Sequence, residues 1–298
     1  MVFDFRLHVF YTVACRLSFT KAAEELFITQ PAITKHIRLL EQQLNTRLFE
    51  RRGNSIALTE SGQILWQYSK KIKVLYDLAA QDIAALAGMN KGQLHIGAST
   101  TIAQYVLPGI LAAFRKAYPD ITLELITGNT EQIEQFMLSS AIDLGFIEGH
   151  TKNRQIKYLP FLNDEIVLVA HAAHELAKYR ELELADLYKA SFVMREQGSG
   201  TLEIIRLALK KAGLKWKQLA IEQHLDSTEA IKSYLLHSNC LAFISSQAVQ
   251  TIGADGLFKI IKVKDLQINR PLNAIHLQGE ASPLASLFLK FVSRYNQK

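Results

Sequence analysis

The sequence predicts an α/β protein with an all-α winged-helix head. An N-terminal winged helix-turn-helix is followed by a long linker helix and a two-lobed α/β domain. Three observations predict it. Three short apolar stripes of helical spacing crowd into the first 45 residues, with only Phe27-Ile28-Thr29 between the second and third. A proline-free stretch from Thr59 to about Ala87 then repeats apolar residues at alternating spacings of 3 and 4. Beyond residue 91, β-rich runs alternate with helical stretches.

Length and composition agree. At 298 residues the chain exceeds the roughly 100–200 residues of one domain, so two or three units are expected. Apolar residues make up 49% and charged residues 21%, which fits an ordered globular chain. No window approaches the roughly 18 consecutive apolar residues of a membrane helix, and the start lacks a basic region followed by an apolar core. Cys15 and Cys240 are far apart and without metal-ligand spacing, so no disulfide framework, metal site or cofactor is expected, and a reducing cytoplasm is. The net charge is +6 and the pI about 9.1. The first 90 residues hold 11 Lys/Arg against 8 Asp/Glu (+3), and the rest 23 against 20 (+3). The excess per residue is therefore about double in the N-terminal third, a lean toward a polyanionic partner there.

In the head, Val9, Phe10, Val13, Ala14 and Leu17 mark one face of a first helix. Ser18 or Thr20 caps a second, which turns Ala22, Ala23 and Leu26 inward. A third begins near Gln30-Pro31, where proline suits the first turn. Ile33, Ile37, Leu40 and Leu44 form its buried stripe, leaving Pro31, Thr34, Lys35, Arg38 and Gln42 on the opposite side and Gln30 at the flank. Amides and hydroxyls read base edges, and cations bind phosphate or guanine, so this is a face a major groove accepts. Two tight helices in front of it favour that reading over an ordinary solvated face. The run 47–59 then reads as two short strands about Gly53-Asn54, a wing with Arg51 and Arg52 at its tip for a minor groove or phosphate.

These residues carry a resemblance. Ser18-Phe19-Thr20-Lys21-Ala22-Ala23, Gln30 through Ile37, Leu39-Leu40-Glu41, Leu44, Leu48-Phe49-Glu50-Arg51 and Leu58-Thr59-Glu60-Ser61-Gly62 look like the LysR-type transcriptional regulators, in register across sixty residues. The resemblance implies that Gln30, Pro31, Thr34 and Lys35 approach the major groove and that Arg51 or Arg52 approaches the minor groove. With Ala32 and Arg38, they form the candidate DNA-binding set. Thr34-Lys35 stands where relatives often carry Ser-Arg, and lysine lacks arginine's bidentate fork.

In the linker, Leu65, Tyr68, Ile72, Leu75, Ala79 and Leu86 make an a/d seam, with Asp82 in the one missing slot and Ile64 and Ile83 widening the stripe. Pairing with a second copy is expected; packing on the chain's own domain is the alternative. The resemblance implies dimerisation here, with the tetramer common in the family, so a homodimer or homotetramer is expected. Residues 88–92 read as a hinge.

Nine strands are expected downstream: 94–98, 121–127, 144–147, 166–170, 192–194, 220–225, 241–244, 257–263 and 272–277. That is too many for one small parallel sheet, so two lobes are expected. Pro160 and Asn163 break the chain, as does Asn269-Arg270-Pro271, and the chain is expected to cross between lobes at both places. The expected division is 1–59 for the winged helix-turn-helix and 60–90 for the linker and hinge. Residues 91–161 with 267–298 make one lobe, and 162–266 the other. The resemblance supports lobes like those of type 2 periplasmic binding proteins.

Ligands in such sheets sit at the carboxyl ends of strands, against helix N-termini. Ser99, Thr100 and Thr101 follow the first strand, and Arg195, Gly198, Ser199, Gly200 and Thr201 the fifth. Thr127 and Asn129 follow the second, with Glu148 as a wall. Ser99, Asn129 and Ser227 also suit simple N-caps, and Gly198 and Gly200 a tight turn. Two hydroxyl-rich helix starts with a fixed cation suit a small anionic effector. The stretch 195–201 resembles one in LysR-type regulators of sulfur and carbon-fixation genes, whose effectors are small carboxylates, sulfate-like anions or phosphorylated metabolites; relatives commonly have proline where Gln197 stands.

Enzyme signatures fail. Glu203 occupies the third glycine position of a dinucleotide fingerprint begun by Gly198-Ser199-Gly200, and Ser18 to Lys21 lacks the companions of a Ser-x-x-Lys enzyme. His171, His174 and Glu175 lack zincin spacing and fit a surface turn, and Cys15 and Cys240 read as inert core residues. The expected function is a non-enzymatic regulator binding double-stranded promoter DNA and a small anion, with RNA polymerase as a further partner and no membrane. The alternatives are a two-lobed solute-binding protein and an α/β enzyme with an appended DNA-binding head.

Overall fold

In the computed structural model, which describes residues 4–52, 55–86, 91–149, 153–250 and 256–295, the chain opens with three capped helices. α1 (Phe5–Arg16) starts where the Asp4 carboxylate accepts from the Leu7 N–H at 3.0 Å. α2 (Phe19–Leu26) is capped by Ser18, whose Oγ accepts from the Lys21 N–H at 3.3 Å. α3 (Gln30–Leu44) carries Pro31 in its first turn, where a missing N–H is harmless. Val9, Phe10 and Val13 of α1, Ala22 and Ala23 of α2, and Ile33 and Ile37 of α3 bury together with Leu48 and Phe49. A buried phenylalanine of this kind contributes roughly 1.5–3 kcal/mol. The predicted stripe of α3 fades along its length: Leu40 is half-buried and Leu44 exposed. α3 has 15 residues against 8 in α2, so its last turn is left uncovered.

The wing is β1 (Phe49–Arg52) paired antiparallel with β2 (Ser55–Leu58), Arg51 opposite Ile56 and Arg52 opposite Ser55. The predicted turn Gly53-Asn54 and the Arg52 side chain lie outside the described residues. The Glu41 carboxylate of α3 anchors the wing by accepting from the Leu48 N–H at 2.8 Å. α4 (Glu60–Leu86) then packs so closely that a Cβ on Gly62 would stand 2.1 Å from the Leu48 carbonyl oxygen. Leu65 and Trp66 pack on the head core, so Leu65 belongs to the head and not to the predicted seam. Ile64, Tyr68, Leu75 and Ile83 are exposed. The side chains of Asp82 and Leu86 and residues 87–90 of the expected hinge lie outside the described residues.

Residues 1–89 and 90–298 are two compact units. In chain order the second holds β3 (Gly92–Ser99), a π-helical turn at Ile102–Val106, α5 (Leu107–Ala117), β4 (Ile121–Gly128), α6 (Thr130–Leu138) and β5 (Leu144–Glu148). β6 (Ile156–His171), β7 (Glu181–Leu182), β8 (Ser191–Arg195), α7 (Gly200–Lys211), β9 (Ala220–Leu225) and α8 (Thr228–Leu235) follow. β10 (Cys240–Ser245), α9 (Ser246–Gln250), β11 (Phe258–Val263), β12 (Ile268–Leu277) and α10 (Pro283–Tyr295) complete it. The sheet order is β4-β3-β5-β12-β6-β10-β8-β9, with β11 on β6 and β7 on β11.

Two expectations are corrected here. The flanks β4-β3-β5 and β10-β8-β9 are parallel, but β6 and β12 pair antiparallel with each other and with β10 and β5. The sheet is mixed, and its centre is a pair of long strands. Nor do the prolines break the chain: Pro160 and Asn163 lie within the sixteen-residue β6, and Asn269-Arg270-Pro271 within β12. Pro160 is tolerated at a bulge, where the register shifts between Leu272 and Asn273. Pro271 lies one residue beyond the β5 ladder, where β12 has a strand on one side only.

Helices cover both faces. Leu94, Ile96, Phe114, Phe146 and Phe288 fill one core of the first lobe, and Ile133, Met137, Ile147 and Ile275 fill the other. The C-terminal α10 belongs here, its Phe288 ring 4.9 Å from that of Phe114 on α5. In the second lobe Leu168, Phe192, Ile205 and Phe243 pack on one face, and Val169, Val193, Ile231 and Ala242 on the other.

Gly62→Ala tests the head–linker packing. Helix propensity alone favours alanine by up to about 1 kcal/mol. The Leu48 carbonyl is backbone and cannot swing aside, so a net loss of about 1–3 kcal/mol in denaturant unfolding of the head is expected.

Candidate functional sites

Strand phase explains the centre of the second unit. Along β12 the buried positions run Ile268, Arg270, Leu272, Ala274, and along β6 Asp164, Ile166, Leu168. The phase that elsewhere holds apolar side chains thus contains one cation and one anion. Arg270 and Asp164 are direct cross-strand partners, and Glu148 at the end of β5 faces Leu272, so it is the diagonal neighbour of Arg270. Arg270 Nε donates to Asp164 Oδ2 at 2.7 Å, and Nη1 lies 3.4 Å from Glu148 Oε1. The Arg270 side chain is 0% exposed, so this is a fully desolvated triad.

Hydroxyls complete it. Ser99 Oγ donates to Glu148 Oε2, and Thr201 Oγ1 donates to Glu148 Oε1 at 3.0 Å while accepting from Arg270 Nη1 at 2.5 Å. Ser245 Oγ donates to Asp164 Oδ1 at 2.8 Å. The two predicted hydroxyl-rich helix starts do meet, but on an internal carboxylate. Glu148 is more than a wall: it accepts from both lobes.

The remaining predicted residues surround this triad. Thr100 Oγ1 lies 3.3 Å from the Gly128 carbonyl and accepts from Arg195 Nη2 at 3.4 Å. Arg195 is buried, holds Glu196 through Nε at 2.8 Å, and leaves Nη1 buried without a partner. Ser199 Oγ is likewise buried and unpartnered. Thr101 is buried at the start of the π-helical turn. Asn129 caps α6, accepting from the Gln132 N–H at 3.0 Å, and its Nδ2 donates to the Gln197 carbonyl at 3.3 Å. Gly198 has φ +82°, and a Cβ on Gly200 would meet the Glu148 carbonyl at 2.1 Å, so both glycines are needed by the backbone. Thr127 is exposed at the end of the edge strand β4.

Three further residues bridge the lobes and escaped the sequence reading. Tyr105, on the π-helical turn, donates to Glu229 of α8, and Lys232 Nζ lies 2.5 Å from Glu229 Oε1 and 3.4 Å from Tyr105 Oη. Burial and the Glu229 carboxylate raise the Tyr105 hydroxyl well above its ordinary range. Burial opposes ionisation of Glu229, yet Lys232 and the Tyr105 hydroxyl hold it below the usual carboxylate value. No local motif marks these residues. Arg270 and Asp164 were findable, because charges in the apolar phase of a strand are the signal.

Other expectations are adjusted. A cavity of about 540 Å³ runs along Gly198, Ser199 and Gly200, but Glu131, Glu134 and Glu203 outnumber Arg206 there, a poor setting for an anion. Cys15 is exposed and not a core residue, whereas burial pushes the Cys240 thiol up to about 11. His174 is buried, capping a short 3₁₀ turn through Nδ1 at 3.0 Å from the Leu176 N–H, and not at the surface.

In the first unit, Gln30, Pro31, Lys35, Arg38 and Arg51 are exposed, and Ala32 and Thr34 half-exposed. Gln30 Nε2 donates to Thr34 Oγ1 at 3.2 Å, pre-ordering the first turn of α3. A groove of about 350 Å³ between α3 and the wing is lined by Arg38, Arg47 and Arg51 among others.

A winged helix-turn-helix joined through a long helix to a two-lobed α/β domain with a buried polar centre defines a DNA-binding regulator with a receptor module. The comparisons agree. The lysR family bacterial regulatory helix-turn-helix model matches residues 5–63, and the LysR substrate binding domain model residues 87–297. The chain is 34% identical to the HTH-type transcriptional regulator CysL of Bacillus subtilis, over 91% of this chain and 89% of that one. Full-length CbnR in complex with its target DNA superposes with a TM-score of 0.68 at 22% identity, over 97% of this chain and 98% of that one. The regulatory domain of Synechocystis CcmR in complex with 2-PG gives 0.64 at 26% identity, over 70% and 99%. The chain belongs to the LysR family of transcriptional regulators. It is a DNA-binding regulator with an effector-binding domain and not an enzyme.

Arg270→Met should destabilise the second unit by about 3–5 kcal/mol, because it leaves Glu148 and Asp164 buried and unpaired. Denaturant unfolding measures this. Pairing the change with Asp164→Leu should recover part of the loss.

Proposed function

We propose that this regulator senses a small anion at Arg195, in the cleft between a lobe of residues 91–161 with 267–298 and a lobe of residues 162–266. The observation that carries the reading is the buried Arg195 guanidinium, whose Nη1 has no partner beside Thr100 and close in sequence to the unpartnered Ser199 hydroxyl. A buried donor without an acceptor is costly, and an anion relieves that cost. Arg270 is already engaged by Glu148 and Asp164, whereas Arg195, paired to Glu196, keeps its Nη1 donor for the anion. Thr100, Thr101 and Asn129 complete the wall, with Thr127 at its rim. The 2-PG bound by the relative CcmR is in keeping with an anionic effector here.

On the DNA side, Gln30, Pro31, Ala32, Thr34, Lys35 and Arg38 enter a major groove, while Arg51 and Arg52 approach the flanking minor groove or phosphate. The exposed Ile64, Tyr68, Leu75 and Ile83 of the linker, residues 60–90, pair with a second copy, giving a homodimer or homotetramer. Two recognition helices then meet two half-sites of a promoter in the cytoplasm, where RNA polymerase is the further partner. Effector control requires the cleft to bind the anion with different affinity in two arrangements of the subunits.

Two measurements test this. A carboxylate, sulfur-oxyanion and phosphorylated-metabolite panel that includes 2-PG should yield a compound that stabilises the chain by about 2.7 kcal/mol at 100 times its Kd. Arg195→Lys and Thr100→Ala should lower that affinity; a panel without a hit overturns the anion reading. Lys35→Ala should weaken DNA binding and reduce the slope of log K against log salt by about 1.

A further inference from the structure

α2 and α3 end in the same hydrogen-bonding motif but with different residues at its critical position. At the end of α3 the Asn45 N–H bonds to the Gln42 carbonyl and the Thr46 N–H to the Glu41 carbonyl, with Asn45 at φ 48°. At the end of α2 the Phe27 N–H bonds to the Glu24 carbonyl and the Ile28 N–H to the Ala23 carbonyl, with Phe27 at φ 53°. The motif requires left-handed backbone, which glycine and asparagine adopt readily and a bulky residue does not. Asn45 follows that rule, whereas Phe27 departs from it, as does the half-exposed Leu17 (φ 45°) at the end of α1.

The ring gains nothing inside the chain to offset the strain. Phe27 is 95% exposed, the most exposed of the described large apolar side chains. The hydrophobic contact this motif calls for is made by its neighbour Ile28, which packs on the head core. Phe27 therefore combines an unfavourable backbone with an unburied ring. It stands three residues before Gln30, at the mouth of the turn that delivers the N-terminus of α3. In a helix-turn-helix that end of the recognition helix lies deepest in the major groove.

We infer that Phe27 is a DNA contact, its ring packing on the apolar surfaces of the duplex, thymine methyl or deoxyribose, at the edge of the groove entered by α3. The inference rests on α3 being the groove-facing helix, and it adds an aromatic reader to a face made of amide, hydroxyl, cation and the small apolar Pro31 and Ala32. Phenylalanine against a thymine methyl is a known mode of apolar base readout. Such a contact releases no counterions, so it adds affinity without adding salt dependence.

The test uses the full-length chain and a labelled duplex selected by it from a random pool. Phe27→Asn suits the left-handed turn, so its melting temperature should equal or exceed that of the parent. Its affinity for the duplex should fall roughly tenfold, the scale of losing one buried phenyl contact. The slope of log K against log salt should stay unchanged, whereas Lys35→Ala lowers it. Phe27→Leu should recover part of the affinity. Replacing thymine by uracil names the surface: if parent and Phe27→Asn then bind alike the ring reads a methyl, and if the gap persists it packs on sugar. Unchanged affinity of Phe27→Asn beside a weakened Lys35→Ala overturns the inference and leaves the reading of α3 intact. Unchanged affinity in both overturns the two together. A change in oligomeric state accompanying the loss assigns the ring to a protein interface and also overturns it.

Discussion

The second unit is organised around one buried guanidinium. Arg270 is wholly removed from water, and its charge is balanced by Asp164 across one strand pair and by Glu148 across the other. Desolvating an arginine and two carboxylates is expensive, and attraction recovers the cost only where hydrogen bonds satisfy the remaining atoms. Ser99, Thr201 and Ser245, from the ends of β3, α7 and β10 respectively, supply bonds to the two carboxylates and Thr201 to Arg270 Nη1, while Nη2 is held by its ion pair with Asp164 at 2.7 Å. The central strand pair, the carboxyl ends of the flanking strands and the start of α7 must therefore assemble together for any of the three charges to be tolerated.

That constraint shapes the surroundings of the triad. Hydroxyls which would otherwise greet a ligand are already engaged by Glu148, and the excess negative charge of the triad lies behind them. Arg195 stands apart, tied to Glu196 and Thr100 but with one nitrogen free of protein partners. The lobes are also joined at the rim through Tyr105, Glu229 and Lys232. Polar contacts thus join the lobes beside apolar ones such as Ile268 on Ile166 and Phe243, and the polar ones exchange readily for contacts to a polar ligand.

The head obeys a different logic. Its core is small and made by three short helices, the wing residues Leu48, Phe49, Ile56 and Leu58, and the first turns of the linker. Close approach replaces bulk: Gly62 lets α4 lie against the Leu48 carbonyl, and Glu41 pins the same loop from the other side. With the inner faces committed in this way, the outer face of α3 is free to be largely polar, and Phe27 stands exposed in the turn just before it.

By itself the sequence determined the head, the linker and the family, because these depend on local periodicity, capping and turn chemistry within short windows. Ile33 and Ile37 announce the inner face of α3, Ser18 its predecessor's cap, and Gln30 to Lys35 the outer face. It also pointed to both hydroxyl-rich helix starts, since β-to-helix junctions are local. What only the tertiary structure decided is where those hydroxyls point and what neutralises them. Pro160 and Pro271 read as chain breaks because proline removes a ladder donor, yet a bulge and a one-sided ladder accommodate each. Those continuous strands bring Arg270 beside Asp164, 106 residues away along the chain, and beside Glu148, 122 residues away. Pairing over such separations is set by sheet register, which no local window contains.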